Sequence, residues 1–312
     1  MKAIVLTETG GTENLVYTEL PQPEILANEV LIQTKAIAIN PVDIKTRMGK
    51  GVYGRIKDEQ PLILGWDLSG VVVAAGSQSG FKQGDEVFGM VNFPGHGSAY
   101  AEYVAAPASS LALKPANISF EEAAATTLAA LTAYQGLIHQ TSLSKGQRIL
   151  VHAAAGGVGH FIVQIAKHLG LYVIGTSSAE NKSFVEELGA NEHIDYKSVR
   201  FEELAKDIDL VFDTIGGDNI TRSIGVLKKG GTIISIPSGV SETQIEQAKS
   251  AGINAFFFLV QSSGKDMEVL AEFLQQGIIK PYVTVYDFSQ IAEAHAQQET
   301  GKTKGKLVLR VN

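Results

Sequence analysis

A glycine-rich run at residues 154–159 (AAGGVG) could carry chemistry in this 312-residue sequence. It follows an apolar stretch, 148–153, and precedes residues 160–169, whose apolar side chains recur at helical spacing. A glycine turn between a strand and a helix points backbone N–H groups at a pyrophosphate and leaves room for it. We therefore predict that the turn binds the phosphates of a dinucleotide through Ala155, Gly156, Gly157, Val158 and Gly159. The alternative is a glycine-rich corner without a ligand.

Polar residues after the next strand bear on which dinucleotide would bind. NAD sites usually place Asp or Glu at this strand end, about 20 residues beyond the glycines. No acid stands here, and Glu180 is expected inside the following helix. The residues near this strand end are instead hydrogen-bond donors, namely Ser177, Ser178, Lys182 and Tyr196. Such a set favours binding of a 2′-phosphate, and hence NADPH over NADH. The alternatives are that Lys182 is a solvated helix lysine and that Ser178 only caps the helix.

The second half of the chain alternates strands with helices, which predicts a parallel sheet covered on both faces. The expected strands are 149–152, 172–175, 193–194, 210–212, 232–236 and 255–260. A doubly wound sheet binds its ligand beyond the carboxyl ends of its strands. Ile215, Pro237 and Ser238 follow such ends, and we predict that they also contact the cofactor.

The first third of the sequence has a different character. Short strands at 3–6, 29–38, 70–75 and 86–90 predict an antiparallel, barrel-like domain. An alanine-rich helix begins after Ser119, and the tail from Tyr282 returns to a β pattern that is expected to rejoin the first domain. We therefore predict one domain at 1–115 and 283–312, and a second at 116–282.

Composition excludes several classes of protein. There are no cysteines, which rules out disulfides, iron–sulfur clusters and cysteine-based zinc sites. The net charge of −7 argues against nucleic acid as a partner. No apolar run approaches the roughly 20 residues needed to cross a bilayer, and no export signal is recognisable at the start. We expect a cytoplasmic protein without a membrane partner.

Six ordered motifs carry a resemblance that extends over nearly the whole chain. The motifs are 36–43 (AIAINPVD), 61–70 (PLILGWDLSG), 84–87 (GDEV), 123–134, the glycine turn and 305–309 (GKLVL). In this order they resemble the medium-chain dehydrogenase/reductase superfamily, specifically its zinc-free quinone oxidoreductase branch, which includes the zeta-crystallins. The resemblance implies an α/β protein in which a Rossmann domain accompanies a GroES-like β-barrel catalytic domain.

The same resemblance bears on metal binding. Zinc alcohol dehydrogenases hold their catalytic ion with Cys, His, Glu and Cys, and the matching positions here are Asn40, Trp66, Asp67 and Leu128. Of these only Asp67 is a zinc ligand, whereas a zinc site needs three or four N, S or O ligands. We therefore predict that the chain works without a metal.

Without zinc, conjugate reduction is the reaction that requires the fewest catalytic groups from the protein. Hydride addition to a quinone or an α,β-unsaturated carbonyl moves charge to an oxygen, which one or two hydrogen-bond donors can stabilise. We predict an NADPH-dependent reductase of quinones or enones. Two alternatives stay open, namely a non-enzymatic NADPH-binding protein resembling the crystallins and an alcohol dehydrogenase with a rebuilt metal site.

Candidate catalytic residues come from the motif at 36–43 and the loop after it. Asn40 is expected near the nicotinamide and the substrate oxygen, although it could instead cap local backbone. Asp43 is expected to orient its neighbours. Lys45 is a candidate donor or an exposed lysine, and Tyr53 a candidate for lining the substrate site or a surface turn residue. Thr132 resembles the family threonine that faces the nicotinamide, unless it only bonds its own helix.

The last predicted Rossmann strand, which begins at Ala255 and ends at Val260, is unusually apolar. Members of the resembled family pair this edge across a dimer, so a homodimer through this strand is expected. An internal strand covered by a helix is the alternative.

Overall fold

The computed structural model describes residues 1–311, whose strands form three sheets. The strands are β1 (Lys2–Leu6), β2 (Leu15–Glu19), β3 (Glu29–Ile39), β4 (Asp67–Ala75), β5 (Glu86–Met90), β6 (Tyr103–Pro107), β7 (Leu111–Leu113), β8 (Arg148–Val151), β9 (Tyr172–Ser177), β10 (Glu192–Asp195), β11 (Ile208–Asp213), β12 (Leu227–Ser235), β13 (Asn254–Phe257), β14 (Val283–Asp287) and β15 (Lys306–Arg310). The α-helices are α1 (Pro41–Arg47), α2 (Tyr53–Ile56), α3 (Phe120–Tyr134), α4 (Gly159–His168), α5 (Lys182–Glu187), α6 (Phe201–Leu204), α7 (Asp218–Ile224), α8 (Glu242–Ser250), α9 (Gly264–Gln275) and α10 (Ile291–Glu299).

The six-stranded sheet has the order β10-β9-β8-β11-β12-β13, and all of its neighbouring strands are parallel. The chain winds outward from β8 in one direction and from β11 in the other, so the predicted Rossmann-like sheet is confirmed. Apolar side chains of the central strands fill its core, among them Leu150, Ile174, Val211 and Ile233. The loops that follow the strands therefore gather at one edge of this sheet.

The last strand of this sheet is shorter than predicted. It runs over Asn254–Phe257 and lies at the sheet edge beside β12, whereas the sequence predicted a strand that continued to Val260. Phe257 keeps 42% of its surface exposed, while Val260 is buried. The edge position is the one that the predicted homodimer requires.

The other large sheet is built mainly from antiparallel strands in the order β14-β15-β3-β4-β5-β7, with β6 paired to β3. Strand β15 pairs antiparallel with β3, which confirms that the tail rejoins the first domain. Small side chains let α3 pack closely here, since Ala124 and Ala125 meet Ala36 and Ala38 in one buried cluster. The architecture is that of a GroES-like domain.

Contacts divide the chain into two units. The first comprises Met1–Leu131 and the chain from Gln261 onward, and the second comprises Thr132–Val260. Compared with the predicted boundaries, this division assigns most of α3 and all of α9 to the first unit. Within residues 1–311, no helix has the length and apolar character needed to cross a membrane.

Candidate active site

The glycine turn lies between β8 and α4, at the carboxyl edge of the parallel sheet. Gly159 begins α4, and a Cβ at this position would lie 2.2 Å from the carbonyl oxygen of Ala153. The position therefore requires glycine. Within residues 1–311, the N–H groups of Ala155, Gly157 and Val158 donate no backbone hydrogen bond. They can bind an anion in the way that phosphate-binding helix N-termini do.

A buried aspartate fixes the loop that follows β11. Both carboxylate oxygens of Asp213 accept hydrogen bonds, from the N–H of Gly216 at 2.9 Å, from Nδ2 of Asn219 at 2.9 Å and from Oγ of Ser235 at 2.9 Å. Ile215, a predicted cofactor contact, lies in this loop and is 54% exposed. Asp213 was not among the predicted site residues, although an acid at the end of an apolar strand was a usable signal.

The two predicted contacts after β12 lie beside this same loop. A Cβ on Gly216 would come within 2.9 Å of Oγ of Ser238 and 3.1 Å of the Pro237 ring. The ends of β11 and β12 thus bring Ile215, Pro237 and Ser238 close together. Their contact with a cofactor stays a prediction.

The end of β9 corrects one inference from the sequence. Glu180 lies in a short 3-10 helix, Ala179–Asn181, and therefore comes just before α5 and not within it. Its carboxylate accepts a hydrogen bond from Oγ of Ser178 at 2.7 Å and lies 3.9 Å from Nζ of Lys197. No acid stands within β9 or directly after it, but the short turn places the carboxylate of Glu180 beside Ser178.

The predicted 2′-phosphate donors are only partly brought together. Oγ of Ser177 lies 2.8 Å from Nε2 of His193, and the N–H of Tyr196 donates to the carbonyl of Ser177 at 3.3 Å. Lys182 instead lies on α5 with Nζ 3.8 Å from Glu186. Ser177, Ser178 and Tyr196 therefore lie near each other, whereas the amine of Lys182 is engaged on its own helix.

A second candidate site is a buried polar cluster in the first unit, and Asn40 is at its centre. Asn40 joins β3 to α1 and is 1% exposed. Its Nδ2 donates to Oδ2 of Asp67 at 2.8 Å, and its Oδ1 accepts a hydrogen bond from Nζ of Lys306. Lys306 also donates to the carbonyl of Ile39 at 2.8 Å and lies 4.0 Å from Asp67. Both ends of the Asn40 amide are thus held by charged groups.

Asp43 links this cluster to a chain of buried side chains. Its Oδ2 accepts the N–H of Asn40 at 2.8 Å and the hydroxyl of Tyr100 at 2.9 Å. Tyr100 lies 3.0 Å from Nε2 of His295, and Nδ1 of that ring lies 3.4 Å from Arg47. Because arginine only donates, Nδ1 must accept and Nε2 must carry the hydrogen that Tyr100 receives. Along this series of hydrogen bonds, from Arg47 through His295 and Tyr100, each donor therefore faces toward Asp43.

Burial shifts the protonation of these groups. Burial, and to a lesser degree the nearby Asp67 carboxylate, raises the pKa of Asp43 to about 7, although the hydrogen bonds from Asn40 and Tyr100 act in the opposite direction. Burial lowers the pKa of His295 to about 3, with the Arg47 charge acting in the same direction, so the ring is neutral. Burial also raises the pKa of Asp67 and lowers that of Lys306, while the attraction between the two opposes both shifts.

The residues at the zinc-ligand positions do not fit a catalytic zinc ion. Asp67 uses Oδ1 to accept the N–H of Leu128 at 3.0 Å and Oδ2 to hold Asn40, and the indole of Trp66 donates to the carbonyl of Gly95 at 2.7 Å. The ammonium of Lys306 already supplies a positive charge beside Asp67. In the described range 1–311, no group of three or more His, Cys, Asp or Glu side chains could hold a metal ion.

The other predicted residues have varied surroundings. Lys45 is half-buried on α1, and burial lowers its pKa. Tyr53 is half-buried at the start of α2, and Thr132 is 4% exposed on α3. Their roles toward a ligand stay predictions.

Four members of the polar cluster were not predicted from the sequence, namely Arg47, Tyr100, His295 and Lys306. Lys306 carried no signal of its own, because it is one of three lysines, at 302, 304 and 306, that precede the apolar run LVL. Gly65 lies in the motif at 61–70, and the structure shows why glycine stands there: its φ is +87° and a Cβ would lie 2.3 Å from the Tyr100 ring. Nothing local pointed to His295, which reaches the cluster from α10.

Comparisons with known protein families agree with this architecture. The family described as alcohol dehydrogenase GroES-like domain matches residues 26–116, and that described as zinc-binding dehydrogenase matches residues 188–309. The second description names a metal for which the residues of the polar cluster supply no adequate ligand set.

Individual proteins resemble the chain over almost its full length. It is 36% identical to the 2-methylene-furan-3-one reductase of Solanum lycopersicum, over 99% of this chain and 79% of that protein. It is equally similar, at 36% identity and the same coverage, to the chloroplastic NADPH-dependent alkenal/one oxidoreductase of Arabidopsis thaliana. The solved structure of the quinone oxidoreductase from Coxiella burnetii superimposes with a TM-score of 0.94 at 37% identity, covering 100% of this chain and 99% of that one.

Proposed function

Because this chain belongs to the medium-chain dehydrogenase/reductase superfamily, we propose that it is an NADPH-dependent oxidoreductase that reduces quinones or α,β-unsaturated carbonyl compounds without zinc. The observation that carries the proposal is the glycine turn at the carboxyl edge of the parallel sheet, with backbone N–H groups available to a pyrophosphate. The names of the similar proteins support both the nucleotide and the class of acceptor.

The cofactor supplies the hydride, which is the demanding part of this reaction. With an enone, a hydride would add to the β-carbon, and the electron pair of the carbon–carbon double bond would shift to give an enolate. A proton from solvent would then add to the α-carbon. The protein must then bind and orient both molecules and stabilise negative charge on the substrate oxygen. We assign that last task to Nδ2 of Asn40, which has two hydrogens and gives only one of them to Asp67.

The two alternative functions receive less support. An alcohol dehydrogenase with a rebuilt metal site would need ligands that Asn40, Trp66 and Leu128 do not provide. A non-enzymatic nucleotide-binding protein agrees with the glycine turn, but the named relatives are reductases and oxidoreductases.

A substrate panel tests the proposal. Purified protein is mixed with NADPH and, separately, with a benzoquinone, a naphthoquinone, an alkenal and a cyclic enone, and the loss of absorbance of NADPH is followed. We expect turnover with at least one acceptor and a saturated carbonyl or hydroquinone as the product. Tight NADPH binding without turnover of any acceptor would favour the non-enzymatic alternative.

Cofactor preference provides a separate prediction at the end of β9. Removing the carboxylate in Glu180→Gln is expected to raise the ratio of kcat/KM for NADPH over NADH about two- to fivefold, because repulsion of the 2′-phosphate is lost. Lys182→Ala is expected to lower the ratio by a smaller factor, because the amine of Lys182 lies 3.8 Å from Glu186 on its own helix. Lys145→Ala, before β8, serves as the matched control. If both ratios equal that of the wild type, this pocket does not select the nucleotide.

Two expectations from the sequence stay part of the proposal. A homodimer would form through the edge strand β13, and sedimentation at twice the 33.3 kDa of one chain would establish it. The cytoplasm is the proposed location, which microscopy of a tagged protein can test.

A further inference from the structure

A buried lysine holds the amide that the proposed function assigns to the substrate oxygen. Lys306 is 3% exposed, and its side chain reaches Asn40 from strand β15, 266 residues away along the chain. Its ammonium is committed inside the cluster, to the Ile39 carbonyl at 2.8 Å, to Oδ1 of Asn40 and toward Asp67 at 4.0 Å. A charge buried at this depth is costly unless every partner is in place.

This arrangement permits one orientation of the Asn40 amide. An ammonium only donates, so Oδ1 must face Lys306, and Nδ2 must then face Asp67. A flipped amide would place its NH₂ group against the ammonium and its oxygen against a carboxylate. Lys306 and Asp67 together therefore fix which atom of Asn40 is available as a donor.

We propose that Lys306 is a positioning residue whose ammonium locks and polarises the Asn40 amide, and thereby supplies through Asn40 the positive charge that a metal would otherwise provide. A cation on the amide oxygen draws electron density from nitrogen and strengthens the remaining N–H as a donor, since linked hydrogen bonds polarise one another. The catalytic consequence of this inference rests on the proposed function. The fixed orientation of the Asn40 amide, which we call the lock, is a property of the folded chain alone.

Kinetics test the catalytic consequence. Lys306→Met keeps most of the volume of the side chain and removes its charge, and Lys302→Met on the exposed loop before β15 is the matched control. We expect kcat for the preferred acceptor to fall about ten- to a hundredfold in Lys306→Met, with KM and the Kd for NADPH changed less than about threefold. In an Asn40→Ala background the same substitution should lower kcat less than about twofold, because its effect passes through Asn40.

A measurement without substrate tests the lock. In protein labelled with ¹⁵N-asparagine, the side-chain amide signals of Asn40 are identified by their loss in Asn40→Ala. They should move upfield in Lys306→Met and stay in place in Lys302→Met. If Lys306→Met does not fold, the Asp67→Asn/Lys306→Met variant, which removes both buried charges, gives the same readouts against Asp67→Asn.

The outcomes are distinct. Unmoved Asn40 signals, or an equal loss of kcat with and without Asn40, would overturn the positioning role. Absence of turnover by the wild type together with shifted Asn40 signals would instead contradict the proposed function and leave the lock standing.

Discussion

Replacing Gly159 by alanine is expected to weaken NADPH binding at least about a hundredfold and to lower the free energy of unfolding by about 3 kcal/mol. The new Cβ would lie 2.2 Å from the carbonyl oxygen of Ala153 and 2.9 Å from Cα of Ala154. Both are backbone atoms, so neither can move aside as a flexible side chain would. The turn must open, which displaces the N–H groups that receive the pyrophosphate.

Two further glycines give this prediction a graded series. At Gly156 the nearest atom to a Cβ is the Ala153 oxygen at 3.2 Å, so Gly156→Ala should have a smaller effect. At Gly225, after α7, the nearest atom is 3.8 Å away, so Gly225→Ala serves as the control. The measurement is the rise in Tm on adding NADPH, since a ligand that binds only the folded state stabilises it. A Gly159→Ala protein with a wild-type rise would show that the turn does not hold the nucleotide.

The second large effect concerns Asp43 and pH. Because burial, and to a lesser degree the Asp67 carboxylate, raises its pKa from 3.8 to about 7, the folded chain binds this proton more tightly than the unfolded chain does. The stabilisation is complete below pH 4 and is lost as the pH rises through 7. At about 1.4 kcal/mol per pH unit, the wild type should lose about 3 kcal/mol between pH 5 and pH 8 from this group.

Asp43→Asn is the variant that isolates this effect. Its amide oxygen can accept the same two hydrogen bonds that Oδ2 now accepts, from the N–H of Asn40 and the hydroxyl of Tyr100. Urea unfolding of both proteins at pH 5 and pH 8 should show the wild type losing stability relative to the variant as the pH rises. If the difference in unfolding free energy between the two proteins is the same at pH 5 and pH 8, Asp43 is ionised in both the folded and the unfolded chain. If the wild type gains stability relative to the variant as the pH rises, the assigned direction of the pKa shift is wrong.

Much of the nucleotide-binding unit could be predicted from its sequence because its signals are local. The run AAGGVG, the apolar strands and the helical spacing after Gly159 each lie within a few residues, and the sheet order follows from their alternation. Glu180 shows where such prediction ends. Whether residues 179–181 form a 3-10 turn or the first turn of a helix decides where its carboxylate lies, and the sequence pattern permits either.

The polar cluster was harder to predict from the sequence, because its members come from distant parts of the chain. Asn40 and Asp43 stood in a recognisable motif, but Lys306 reaches them only after β15 pairs with β3. Tyr100 enters through the space that Gly65 leaves, and His295 comes from α10. From the sequence alone, a lysine in a strand is expected to be exposed, and its burial can be predicted only when the partners that neutralise its charge are known.

The most direct test of the central claim is the NADPH-dependent reduction of the preferred acceptor by protein whose metal content has been measured before and after treatment with a chelator. We expect the rate to be unchanged in protein that holds far less than one zinc ion per chain. A rate that disappears on chelation and returns when one equivalent of zinc is added would contradict the account.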